Sequence, residues 1–121
     1  MKKSEAIVYI KYDGYNFQKK NRMLKKSIIN YCKGKGYKII GLYSDNKLTR
    51  KSKLGRTRMF NVIKEIEKPT VVTKSFSMLS RDLDTTLYIF NEIKKESFKL
   101  DTMDGSFYNG GNKQWLKLSM Q

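Results

Sequence analysis

Ala6-Ile7-Val8-Tyr9-Ile10 is an unbroken run of five apolar residues, four of them β-branched or aromatic. A strand with one wet face alternates apolar and polar residues. An unbroken run instead predicts a strand buried on both faces, as in a parallel sheet covered by helices. The residues that follow fit such a sheet. Lys11 to Lys20 is polar, contains Gly14, and predicts a loop. From about Asn21 the spacing turns helical: Leu24, Ile28 and Tyr31 share one face, flanked by Met23 and Cys32. Gly34 and Gly36 are expected to stop that helix. Tyr37 to Tyr43, with Ile39, Ile40 and Leu42, predicts a second strand.

Ser44 to Gly55 is polar and basic and reads as a loop, and Met59, Val62, Ile63 and Ile66 mark a second amphipathic helix. Pro69, the only proline, ends it, and Thr70 to Thr73 form a third strand. After a loop from Lys74 to Ser80, Leu83, Leu87, Phe90 and Ile93 make the clearest helical stripe in the chain. Phe98, Leu100 and Thr102 alternate with polar residues in a fourth strand. This βαβαβαβ order predicts an α/β three-layer sandwich, a mostly parallel sheet with right-handed crossovers. Asn109-Gly110-Gly111-Asn112 lies between Ser106-Phe107-Tyr108 and Trp115-Leu116-Lys117-Leu118, a pattern that predicts a closing antiparallel hairpin. Trp115, Phe107 and Tyr108 would then cover a sheet edge, meet a second subunit, or stack on unpaired bases. No repeat, low-complexity tract or linker interrupts residues 1–121, so a single domain is expected.

Lysine and arginine number 26 against 11 acids, a net charge of +15. Such an excess attracts polyanions, nucleic acid first and an anionic membrane surface second, unless it is spread over ordinary solvated faces. With Cys32 as the one cysteine and no histidine, the chain has no intramolecular disulfide, no Cys/His zinc site and no Ser-His-Asp arrangement. The apolar run near the start is too short for a signal-peptide core or a membrane span. A cytoplasmic protein with no membrane partner, metal or cofactor is expected.

Open parallel sheets bind ligands at the carboxyl ends of their strands. The three loops placed there are all basic: Lys11, Lys19 and Lys20; then Arg50, Lys51, Lys53, Arg56 and Arg58; then Lys74 and Arg81. Cations converging on one sheet edge predict a phosphate site through charge-assisted hydrogen bonds.

The order of these residues resembles resolvase-type serine recombinases. Tyr9-Ile10-Lys11-Tyr12-Asp13 is similar to the family's Tyr-x-Arg-x-Ser, whose serine attacks the DNA phosphate. Gly36-Tyr37 and Tyr43-Ser44-Asp45 look like its second strand and exit, and Arg56-Thr57-Arg58-Met59 like the Arg-Pro pair opening the next helix. Val72 to Asp82 is similar to Lys-x-x-Asp/Ser-Arg-Leu-Gly/Ser-Arg-Asp, and Met103-Asp104-Gly105 to the segment after strand 4. The resemblance runs from about Ile7 to Gly105 and implies a resolvase-like fold and DNA as partner.

Three positions depart from the pattern. Asp13 stands where the nucleophile is expected, Lys11 where an arginine is, and Met78 replaces the first arginine of the strand-3 pair. A carboxylate attacking phosphate would form a mixed anhydride that water destroys, and its charge repels the phosphate. Lysine lacks arginine's two-pronged clamp, and methionine cannot bind phosphate. No intact catalytic residue is therefore expected, although Lys11, Arg56, Lys74 and Arg81 remain as DNA phosphate contacts. Where the family continues into a long dimerising helix and a DNA-binding domain, residues 106–121 read as a hairpin tail.

These readings make the chain a catalytically inactive recombinase-like protein that binds DNA phosphates non-specifically. One alternative is an interaction module forming homo-oligomers, or mixed oligomers that regulate an active recombinase. Another is residual site-specific strand cleavage and exchange, with Ser75, Ser77, Ser80, Tyr12 or Tyr15 as a displaced nucleophile. Asp13 as a phosphoryl acceptor of the response-regulator kind lacks the companion acids, since Thr73 and Lys74 stand after strand 3. Asp13, Asp45 and Asp104 around magnesium is a further arrangement, one that their spacing does not force.

Overall fold

The computed structural model describes residues 4–15, 18–47 and 53–106. Its strands are β1 (Ser4–Tyr12), β2 (Tyr37–Asn46), β3 (Thr70–Thr73) and β4 (Lys99–Thr102). Its helices are α1 (Lys19–Lys35), α2 (Leu54–Ile63), α3 (Phe76–Leu79) and α4 (Leu83–Lys94). The four strands form one parallel sheet in the order β2-β1-β3-β4. The chain steps from β1 outward to β2, then returns past β1 to β3 and β4. Right-handed crossovers then send α1 to one face of the sheet and α2 and α4 to the other.

The packing follows from alternation along β1. Ala6, Val8, Ile10 and Tyr12 join Ile28 and Cys32 of α1 in one buried cluster. Ile7 and Tyr9 turn the opposite way and join Met59 and Ile63 of α2, Phe76 and Leu79 of α3, and Ile89 and Phe90 of α4. Each fully buried Ile or Phe contributes on the order of 1.5–3 kcal/mol from leaving water. This is why the five-residue apolar run is a central strand. Gly36 ends α1 with φ 76°, a left-handed cap that a side chain would strain, and its N–H bonds to the carbonyls of Cys32 and Lys33.

The architecture matches the sequence reading, and β3 matches it residue for residue, but several boundaries move. β1 runs on to Tyr12 and β2 to Asn46, because both strands keep pairing beyond their apolar stretches. Gly34 lies inside α1 and does not stop it. α2 begins at Leu54, so Arg56 and Arg58 are helical residues and not loop residues. The expected loop from Lys74 to Ser80 contains α3, a single turn too short to show a periodicity. On α4 the stripe is also displaced: Leu83 and Leu87 are exposed, whereas Thr86, Ile89 and Phe90 are buried. The predicted hairpin beyond Ser106, with Trp115, and the loop cations Arg50 and Lys51 lie outside the described residues. Among the described residues no helix is long and apolar enough to cross a membrane.

Candidate functional site

β1 and β3 are neighbours, yet β1 leads away to β2 on one side and β3 to β4 on the other. A crevice opens where connections diverge in this way at the carboxyl ends of parallel strands. Here it is a cleft of about 610 Å³ lined by Lys11, Asp13, Lys47, Ser75, Ser77, Met78 and Arg81.

Each wall has a local cause. Lys11 is the penultimate residue of β1 and half-buried. Burial lowers its pKa, and the charges of Arg56, Lys53 and Arg81 lower it further against the opposing pull of Asp45. A lysine so placed is short of counter-charge, which an anion in the cleft would supply. Asp13 begins the turn after β1. Buried Asn21 of α1 clamps that turn: its Oδ1 accepts from the Asp13 N–H (3.3 Å), and its Nδ2 donates to the carbonyls of Asp13 (3.2 Å) and Tyr15 (2.7 Å). From the other side, Asn46 Nδ2 donates to the Gly14 carbonyl at 2.5 Å. The Asp13 carboxylate is exposed and pairs with Lys20 at 3.4 Å.

The opposite wall is α3 and its flanks. The Ser75 and Ser77 hydroxyls are 3.0 Å apart. Ser106 Oγ caps the turn by accepting the Phe76 N–H at 2.9 Å and itself donates to Asp104 at 2.6 Å. Asp104 thus braces the turn through Ser106. Arg81 is exposed, and no ion pair involves it among the described residues.

Behind the cleft, Asp45 joins three elements. Its carboxylate accepts from the Tyr9 hydroxyl (2.6 Å) and from the N–H groups of Gly55 (2.8 Å) and Arg56 (2.9 Å), capping α2 from β2. Burial first, then the Asp45 hydrogen bond, holds the Tyr9 hydroxyl far above its ordinary pKa. Gly55 is required for this seating, because a Cβ there would fall 2.0 Å from the Ser44 carbonyl oxygen. Arg56 donates from Nη1 to the Leu79 carbonyl at 3.1 Å and lies 3.9 Å from the Asp82 carboxylate. Asp82 also caps α4 by accepting the Thr85 N–H at 2.7 Å. Burial raises its pKa, but the Thr85 bonds and the charges of Lys53 and Arg56 outweigh that and leave it lowered.

Of the phosphate-contact residues expected from sequence, Lys11 and Arg81 meet in the cleft with Asp13, Ser77 and Met78. Arg56 stands behind it and lines a separate groove between α2 and α4, and exposed Lys74 is not part of the lining. Lys47 lines the cleft and was missed; reading β2 on through Asn46 would have placed it at the carboxyl edge. Asp45 and Asp104 face protein donors, and the described residues hold no group of three or more side chains suited to a metal.

No protein-family model matches the sequence, and no curated protein matches it. Solved structures do match in fold. The C-terminal catalytic domain of ISC1926 TnpA, an IS607-like serine recombinase, aligns with TM-score 0.64 at 17% identity, over 81% of this chain and 68% of that one. A resolvase family site-specific recombinase from Streptococcus pneumoniae aligns with TM-score 0.71 at 16% identity, over 97% and 83%. The N-terminal catalytic domain of TP901-1 integrase gives 0.64 at 20%, over 93% and 90%. The chain has the fold of a resolvase-type serine recombinase catalytic domain.

Proposed function

We propose that this chain binds nucleic-acid phosphates in the cleft between β1 and β3 and does not transfer them. The observation that carries the reading is the lining itself: Lys11, Lys47 and Arg81 surround the cleft, and Asp13 occupies the position where the resemblance calls for a serine. Two lysines and an arginine attract a phosphodiester. A carboxylate repels one, and an acyl phosphate formed from it would hydrolyse instead of passing DNA to a new partner. Pairing with Lys20 offsets the charge of Asp13, so the cleft keeps a net positive charge. Lys11 and Arg81 contact phosphate directly. Arg56 adds charge from behind, and Lys74 adds it beside Ser75. The fold neighbours are recombinases and an integrase by name, which makes DNA the first polyanion to test.

A second reading, residual strand cleavage, draws on the Ser75 and Ser77 hydroxyls in the same cleft. Anisotropy of labelled duplex DNA across a salt series tests the first reading. Lys11→Ala with Arg81→Ala should reduce the slope of log affinity against log salt by about 2, near 0.9 for each lost contact. An unchanged slope sinks the cleft as a phosphate site. A covalent protein–DNA adduct on a denaturing gel, lost in Ser77→Ala, would replace binding with cleavage.

A further inference from the structure

The basic charge is segregated by the topology. α1 carries seven lysines and arginines and no aspartate or glutamate, and no acid occurs anywhere from residue 14 to 44. The helices on the other face of the sheet are nearly balanced: across residues 54–68 and 76–96, Glu65, Glu67, Asp82, Asp84, Glu92 and Glu96 offset all but one of the cations. Among the described residues the net charge therefore belongs largely to one side of the sheet.

On that side the cations are exposed and close together. Shallow grooves run along the outer face of α1 past Lys19, Arg22, Lys25, Lys26 and Lys33. None of these five has an ion pair among the described residues. Arg22 sits three residues from Lys19 and from Lys25 and four from Lys26, so it meets three like charges at helical neighbour spacing, which disfavours the bare helix. Lys20 connects this face to the cleft through its pair with Asp13.

We infer that the outer face of α1 is a second nucleic-acid surface, tracking a phosphate backbone beyond the cleft. Lys19 to Lys33 spans about 21 Å at 1.5 Å per residue. A duplex makes one turn in about 34 Å, so a straight face of this length meets several phosphates within part of a turn. A membrane is the poorer fit. Surface-lying helices insert an apolar face, and the apolar face of α1, with Ile28 and Cys32, is buried against the sheet. The inference takes its polyanion from the cleft reading and uses different residues, so the two can fail separately.

The test is binding of a short labelled duplex to Lys25→Gln/Lys26→Gln/Lys33→Gln across a salt series. The slope should fall by about 2.7, near 0.9 per contact, with affinity at low salt reduced by roughly tenfold or more. Lys→Arg at the same three positions should retain wild-type binding. A wild-type slope in the Gln variant overturns the inference. So does a loss of binding to phosphatidylcholine–phosphatidylserine vesicles with duplex affinity intact. If Lys11→Ala/Arg81→Ala alone lowers the slope, the cleft reading stands and the α1 surface falls. If the triple variant alone lowers it, the reverse holds. Should the triple variant fold poorly by circular dichroism, each single Gln substitution should still lower the slope by about 0.9, and three unchanged slopes overturn the inference.

Discussion

Asp45→Ala tests how the site is built. The carboxylate receives the Tyr9 hydroxyl at 2.6 Å and the N–H groups of Gly55 and Arg56 at 2.8 and 2.9 Å, so one side chain ties β1, β2 and α2 together. Truncation removes the cap of α2, a loss of about 0.5–2 kcal/mol. It also leaves the hydroxyl of Tyr9, a residue only 2% exposed, without its partner, at about 1–3 kcal/mol. The sum is about 2–4 kcal/mol, a large part of the 5–15 kcal/mol typical of a whole domain. For a domain of this size the melting temperature should drop by about 10 °C. Urea unfolding followed by circular dichroism gives the free energy, and Tyr9→Phe completes a double-mutant cycle with an expected coupling of about 1 kcal/mol or more. Asp45→Asn, which keeps one acceptor oxygen, should lose less than Asp45→Ala. A loss below about 0.5 kcal/mol in Asp45→Ala, or strict additivity with Tyr9→Phe, refutes the account of Asp45 as the joint.

Gly55→Ala would gain about 1 kcal/mol from helix propensity alone. It is expected to destabilise instead, by more than that gain, because the added Cβ meets the Ser44 carbonyl oxygen at 2.0 Å; a raised urea midpoint would show that α2 is not seated on β2. Tyr31 donates to Asp101 at 2.6 Å, and this bond first, with burial second, pushes its pKa up to about 12. A raised acid stays protonated in the fold, so its contribution is intact below the ordinary value of 10.0 and is lost as pH rises from there toward 12. Asp101→Asn should bring the Tyr31 transition down toward 10.0 in an ultraviolet titration. Lys11 is lowered by burial and then by Arg56, Lys53 and Arg81, so its charge works against folding at neutral pH and less so as pH rises toward 10.5. Lys11→Met should therefore raise the melting temperature, and the stabilisation by inorganic phosphate expected of the wild type should be smaller in this variant.

The sheet was legible because its information is local. Thr70–Thr73 follows the only proline, and β1 shows itself as an unbroken apolar run. α4 was harder to orient, since a polar residue fills a core position there. Thr86 is buried in the stripe with Ile89 and Phe90 because its hydroxyl donates to the Asp82 carbonyl at 2.8 Å and meets Ser80 Oγ at 2.9 Å. The leucines at 83 and 87 look more like a core than this stripe does, yet they face outward. In the cleft, Lys11, Asp13, Ser77, Met78 and Arg81 were readable because they lie at or after the carboxyl ends of strands in sequence. Arg56 was misplaced through its helix boundary. Its partners, the Leu79 carbonyl and Asp82, lie 23 and 26 residues away, a separation that no local pattern encodes.

Charge shows the same limit. Along the chain the 26 cations are spread through every segment, and linear order alone favours general surface charge as the explanation. The crossover rule changes that conclusion. A connection moving outward from β1 and one moving back past it must lie on opposite faces, so α1 is separated from α2 and α4 and from the acids in α4 and in the segments that flank both helices. The acid-free stretch 14–44 then becomes a positive side, continuous through Lys20 with the cleft at the carboxyl ends of β1 and β3. Attraction for a polyanion depends on where charge sits relative to the surface that meets it. Cations gathered around a cleft and along one helix attract a phosphate backbone whether or not a nucleophile is present. That is the physical reason to test binding before cleavage.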